Sequence, residues 1–282
     1  MAVATVPIVD VLTEQIDDAL DELEMQMARG HTQGYLDMLA FHAKLHKYSI
    51  SNAILIAIQK PHATVVAGYR RWSDLGFHVK RGERGIAIRA PMIRKIVDKD
   101  TGEIEERLVG YRETWIWDIS QTVEYPEKQP PSIFQPIPGD WFELFTILRI
   151  HIGAQGVLVT EDPMPADVHG MYAEDHIYIS ARLDPFFKVT CVLHEYVHHL
   201  AHRERDDTTR QDREFIAESV TFVVCAIIGI RHDTAADYLL SYACNPEHVR
   251  QNVKEVQRLV KQVCKDLRLA QEVTSKKEQV AA

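Results

Sequence analysis

Apolar residues recur every three to four positions between Ile8 and Ala28, at Leu12, Ile16, Leu20 and Leu23, with acids between them. That period lays one apolar stripe along a helix and turns the acids to solvent. Similar spacing predicts helices over 34–47 and 50–60, the latter stopped by Pro61, which lacks the N–H a continuing helix needs. The pattern then changes. Thr64–Ala67 is short and β-branched, and a helical turn is expected over Tyr69–Leu75. The stretches 85–96 and 103–119 read as two strands joined at Lys99–Gly102, where glycine suits a turn needing positive φ. The first part of the chain is therefore α+β.

Five of the twelve prolines fall within 124–138, which excludes regular helix or central strand there. This stretch is expected to link a domain over 1–123 to one over 139–282. The second part reads as mostly helical. Helices are expected over 141–152 with Asp140 as N-cap, then over 184–203, 209–229, 234–242 and 247–269. Short strands are expected at 157–160 and 176–180.

One helix carries chemistry. His194-Glu195-Tyr196-Val197-His198 is an HExxH motif. Residues i and i+4 lie about 40° apart on one helix face, so both imidazoles can hold one ion, Zn²⁺ being the expected cofactor. Glu195 sits beside the first ligand as the expected general base for a hydrolytic water. A catalytic zinc takes a third protein ligand. The next helix offers Glu214 and Glu218, again i and i+4. Glu214 is favoured as the ligand, with Glu218 holding a ligand imidazole, and Glu218 as ligand is the alternative. His202 lies eight residues from His194, about 12 Å along the axis, too far to share the ion, and His199 points away from His198. Tyr172 and Tyr178 are possible oxyanion donors, although packing on the core is the plainer reading of each. The strand edge Ile177–Ser180 could hold an extended peptide.

Charge adds a second candidate. The chain is −9 overall, which excludes a generally basic nucleic-acid binder, yet 60–95 carries nine Lys/Arg against two acids. Aromatics interleave with these cations. Cations for phosphates and ring faces for unstacked bases are what single-strand binding requires. The candidates are Lys60, Tyr69, Arg70, Arg71, Trp72, Lys80, Arg81, Arg84 and Arg89. The four cysteines show no CxxC spacing, no apolar run is long enough for a membrane span, and the N-terminus lacks an export pattern. A cytoplasmic protein with reduced thiols and no membrane partner is expected.

Several separated motifs also stand in a familiar order. They are Tyr48–Asn52, Gln59–Tyr69, Trp72, Leu75-Gly76, Val79–Ile86, Ala90-Pro91 and Trp117–Thr122. This region, 35–122, resembles the N-terminal domain of ArdC-like antirestriction proteins, which implies single-stranded-DNA binding. The second part is similar to zincin-like peptidases of the ImmA/IrrE class, where a ligating Glu on the following helix matches Glu214 and a polar residue four later matches Glu218. Ile216, where that class often carries an acid, and Tyr196-Val197, where it has small residues, depart from the pattern. The acidic helix 8–28 lies outside the resemblance. Such proteins belong to phages, plasmids and their bacterial hosts. The expectation is a small α+β ssDNA-binding domain followed by a mostly helical zincin-like metallopeptidase domain acting on a protein or peptide. A non-catalytic DNA-coating protein with a structural or relic zinc, or a repressor-cleaving regulatory protease, are the alternatives.

Overall fold

The structure, a computed structural model, describes residues 6–97, 104–124, 140–202, 209–230 and 249–269. The chain divides into two compact units. The first comprises Met1–Asp21 and Ser51–Pro131, the second Glu22–Ile50 and Ser132–Ala282. The expected division is linear, and residues 22–50 depart from it. Helix α2 (Gln33–Lys44) shows why. Tyr35 and Leu39 are fully buried. The Tyr35 ring centroid lies 5.1 Å from that of Phe215, and its hydroxyl donates to Ser219 Oγ at 3.1 Å. Local periodicity announces an apolar stripe but not which partner covers it. Beyond Glu124, the proline-rich segment lies outside the described residues, as do the expected turn at 99–102 and the helix over 234–242.

Helix α1 (Ile8–Ala28) buries Leu12, Ile16, Leu20 and Leu23, the four positions of its stripe. In the first unit, α3 (Ile50–Gln59) begins at the unit boundary and is followed by β1 (Val66–Ala67) and α4 (Tyr69–Leu75). Next come β2 (Phe77–Val79), β3 (Ile86–Val97), β4 (Ile104–Asp118), a 3-10 turn and β5 (Thr122–Glu124). One sheet has order β1-β4-β3, and β2 pairs with β5 in a two-stranded sheet. The short β2 and β5 carry too few alternating residues to be legible as strands. The β3–β4 ladder is antiparallel, with a bulge after Met92. Its buried end rests on Ile86, Ile88 and Ile116, while from Pro91 to Ile96 β3 is exposed. Gly85 allows the chain to pass the tryptophans. A Cβ there would lie 2.9 Å from Trp115 Cβ and 3.0 Å from Trp117 Cζ2.

The second unit contains α5 (Trp141–Ala154), β6 (Leu158–Asp162), β7 (Gly170–Ala173), β8 (His176–Ser180), α6 (Pro185–His202), α7 (Arg210–Ile227) and α8 (Val249–Asp266). Asp140 caps α5, its Oδ1 accepting from Phe142 and Glu143 N–H. Thr209 caps α7, accepting the Asp212 N–H at 3.1 Å. The sheet order is β6-β8-β7, so β8 is paired on both sides and Ile177–Ser180 is not an edge, contrary to expectation. The outer strands are β6 and β7, and no strand-like pattern in the sequence marks β7. It joins β8 through Glu174 and Asp175, both with positive φ (51° and 58°). Such a two-residue turn is usually marked by Asn or Gly, and neither signals it here. No helix among the described residues is long and apolar enough to cross a membrane. Cys191, Cys225 and Cys264 are unbridged.

Candidate metal centre and basic surface

Helices α6 and α7 bring their polar positions together. His194 and His198 stand one turn apart on α6, with Nε2 atoms 3.1 Å apart. Glu214 Oε2, from α7, lies 3.4 Å from each of those nitrogens. Ligands about 2.0–2.1 Å from a tetrahedral ion are separated by roughly 3.3–3.4 Å. The three donor atoms thus already form one face of such a shell. Among the described residues they are the one His/Cys/Asp/Glu group close enough to hold a metal ion.

Glu218 occupies a different place. Its Oε2 lies 3.4 Å from His194 Nδ1, the ring nitrogen opposite the one that faces Glu214. A carboxylate there fixes which nitrogen of the imidazole points inward. Spacing alone leaves either acid open as the third ligand. The geometry brings Glu214, and not Glu218, to the pair of Nε2 atoms.

The electrostatics suit a cation. Burial disfavours charge on His194, but Glu214 and Glu218 outweigh it and push the imidazole up to about 10. Hydrogen bonds from His194 and His198 hold Glu214 well below the usual carboxylate range. Burial raises Glu195 against the pull of both histidines, and the Tyr172 N–H donates to its carboxylate. That N–H comes from edge strand β7. Beside it, Gly170 leaves room for the acid. A Cβ at Gly170 would lie 2.5 Å from Cys191 Sγ and 3.0 Å from Glu195 Cγ. Neither Gly170 nor the Tyr172 amide is visible in a motif, because both act through backbone.

The remaining candidates fall elsewhere. His199 is buried, its Nδ1 3.1 Å from the Tyr172 hydroxyl and 3.3 Å from Asp175 Oδ1. It fastens the β7–β8 turn to α6. The Tyr172 hydroxyl is engaged in that cluster, and Tyr178 stacks on His176 at 3.9 Å, on the sheet face opposite buried Ile177 and Ile179. Neither is presented as an oxyanion donor. Residue 202 ends α6.

The basic stretch divides by exposure. Tyr69 is 59% exposed, and Arg70, Arg71, Lys80, Arg81 and Arg84 are also at the surface. Trp72 is not, and its assignment as a base-stacking residue is corrected. It is fully buried, packs edge-on to Phe77 at 5.4 Å, and donates its indole N–H to Trp117 O. An aromatic so enclosed has no free face for a base. Arg89 is half-buried, donating to Thr13 Oγ1 at 2.8 Å and stacking over Tyr111 at 4.8 Å. Lys80 Nζ donates to Ser120 O. Lys60 and Arg84 line a cleft of about 570 Å³ with Gln59, Gly82 and Gln121.

Residues 7–116 match the family model of the N-terminal domain of anti-restriction factor ArdC. The match includes the acidic helix α1, which lies outside the motif resemblance, and ends before Trp117–Thr122. The chain is also 24% identical over 302 aligned positions to pXO2-81, an uncharacterized protein of Bacillus anthracis. The alignment covers 87% of this chain and 50% of that relative, so the chain spans about half the relative's length. Among solved structures it is similar to the metal-free crystal structure of antirestriction protein ArdC from plasmid R388. That likeness has a TM-score of 0.52 and 17% identity, and covers 91% of this chain and 99% of the other. The likeness is one of fold.

Proposed function

We propose that this is an ArdC-like protein of antirestriction type with two activities: single-stranded-DNA binding in the first unit and metal-dependent peptide hydrolysis in the second. The observation that carries the hydrolytic part is the triangle of His194 Nε2, His198 Nε2 and Glu214 Oε2, with edges of 3.1, 3.4 and 3.4 Å. Two imidazoles and one carboxylate are the donor set of a zinc hydrolase. A bound divalent ion would polarise the scissile carbonyl and acidify a water there.

The chain's own residues supply the rest. Glu218 orients His194. Glu195, its pKa raised by burial and its carboxylate held by the Tyr172 N–H, takes the proton of the attacking water and returns it to the leaving amine. Strand β7, at the end of its sheet among the described residues, passes beside the same carboxylate, and an extended peptide could run along it and form main-chain hydrogen bonds. The first unit's support is its run of exposed cations with Tyr69 among them, the pattern of a single-strand track.

The test is elemental analysis of the purified protein, followed by hydrolysis of unfolded casein with and without chelator. About one zinc per chain and chelator-sensitive cleavage are expected. Glu195→Gln should keep the metal and lose cleavage. Absence of metal, or undiminished cleavage by that variant, overturns the hydrolytic reading. The DNA reading is tested separately, by titration of a labelled oligothymidylate.

A further inference from the structure

The outer part of the β3–β4 ribbon has two unlike faces. Register places Lys95 opposite Glu106, and their charged ends lie 3.9 Å apart. Ile93 and Leu108 share that face. The other face continues the row that begins at buried Ile86 and Ile88. Along it, Arg112 stands opposite Ala90, Met92 opposite Gly110, Arg94 opposite Arg107, and Ile96 opposite Glu105. Among the described residues, three arginines therefore share one exposed face with a single acid, Glu105.

Arg94 and Arg107 are the informative pair. Residues directly opposite across an antiparallel ladder have Cβ atoms about 4.5–5.5 Å apart, and like charges there are destabilising. Among the described residues, none of Arg94, Arg107 and Arg112 has an acidic partner within ion-pair distance. Folding alone gains nothing from this pairing, whereas an anion seated between the two guanidinium groups would be held by both. Arginine's planar fork matches the oxygens of a phosphate. The Arg112 rung lies four residues along β3 from the Arg94 rung, about 13 Å at roughly 3.3 Å per residue. A chain of linked phosphates can span that length, while one free phosphate cannot. Met92 and Ile96, each 39% exposed, alternate with the arginines on the same face. Such apolar side chains can cover the faces of unstacked bases, which duplex DNA does not offer.

We propose that the Arg94–Arg107–Arg112 face of this ribbon is a second binding surface for single-stranded DNA, gripping its phosphodiesters beyond the stretch 60–89. The inference rests on the DNA-binding reading of the first unit. It is tested with the full chain and a fluorescein-labelled oligothymidylate, beside a duplex of equal length. Affinity is measured from about 50 to about 200 mM salt. Removing one phosphate-neutralising cation makes the slope of log affinity against log salt shallower by about 0.7 for a single strand. Because both guanidinium groups hold one phosphate, the double variant Arg94→Ala/Arg107→Ala should have a slope shallower by about 0.7. Lys95→Ala, on the paired face, should retain the parental slope. The melting temperature of the double variant should equal or exceed the parent's, because a repulsion has been removed, which separates a weakened grip on DNA from a damaged fold. An unchanged single-strand slope, or a change confined to the duplex, overturns the proposal while leaving the first unit a DNA binder. Absence of parental binding to either DNA overturns both readings.

Discussion

The candidate metal centre and the basic surface are written into the chain in opposite ways. At the centre, four groups from two helices meet within 3.4 Å of a neighbour, and each charge is answered by another. On the basic surface, cations stand apart, and neighbouring positions in sequence have contrary fates: Tyr69 is exposed and Trp72, three residues on, is sealed in the core. A convergent site is written in spacing, because i and i+4 on a helix dictate a shared face. A dispersed site is written only in composition, which counts side chains without saying which reach solvent. The first should therefore fail at single substitutions and the second by increments.

The largest expected effect tests the convergent half of that contrast. His198→Ala should abolish stoichiometric metal by elemental analysis, since one of three donors is removed. Glu195→Gln should keep the metal and slow hydrolysis of casein by about 10²–10⁴, the usual worth of a positioned general base. A variant that kept both metal and rate would show that these groups do not act as one unit. Gly170→Ala sharpens the point without touching a charged group. Its methyl would press on Cys191 and Glu195, so metal should stay while kcat falls.

The next effect in size separates two aromatics of the basic stretch. Trp72→Ala empties a core position and should cost about 3–5 kcal/mol of stability, read by denaturant unfolding. Tyr69→Ala should leave stability within about 0.5 kcal/mol and weaken oligothymidylate binding by about 1–3 kcal/mol, the worth of one stacked base. Normal stability in the Trp72 variant would contradict its enclosure.

These cases show what is legible in the chain. HExxH and the Glu214/Glu218 pair can be read because both lie on regular helices, where number fixes direction. The stripe of α1 is legible for the same reason. Strand β7 is not, since its turn opens on Glu174, a residue seldom found at positive φ, and contains no Gly or Asn. The grouping of 22–50 with the second unit is not either, because Tyr35 finds Phe215 and Ser219 only through tertiary packing. Trp72 misleads because composition treats a core indole and a stacking indole alike.

Two histidines of the second unit extend the contrast to pH. His42 is buried beside the Tyr48 carbonyl, and burial lowers its pKa from 6.5 to about 4. The unfolded chain takes up its proton first, so stability present above 6.5 should fall as pH drops toward 4, by about 3 kcal/mol at about 1.36 kcal/mol per pKa unit. His194 is shifted the other way, up to about 10 without metal. Its contribution is complete below 6.5 and should be lost as pH rises toward 10. Metal should abolish this alkaline loss, because a cation that stays replaces the proton, and should leave the acid limb due to His42 intact. Thermal unfolding from pH 4 to 10, with and without zinc, reads both limbs.

The smallest effects belong to single cations of the basic surface. Arg70 and Arg71 are exposed, and each should neutralise one phosphate at most. Arg70→Ala or Arg71→Ala should then lower the salt slope for oligothymidylate by about 0.7, and the double variant by about 1.4. Near-additivity is the signature of independent sites. Arg89→Ala should behave otherwise. Its guanidinium is bonded to Thr13 and stacked on Tyr111, so its loss should appear in stability more than in slope. If Arg70→Ala alone abolished binding, the surface would be a convergent site like the metal centre. Equal small steps from each exposed cation would instead show that the first unit holds DNA by a sum of weak interactions, none of them indispensable.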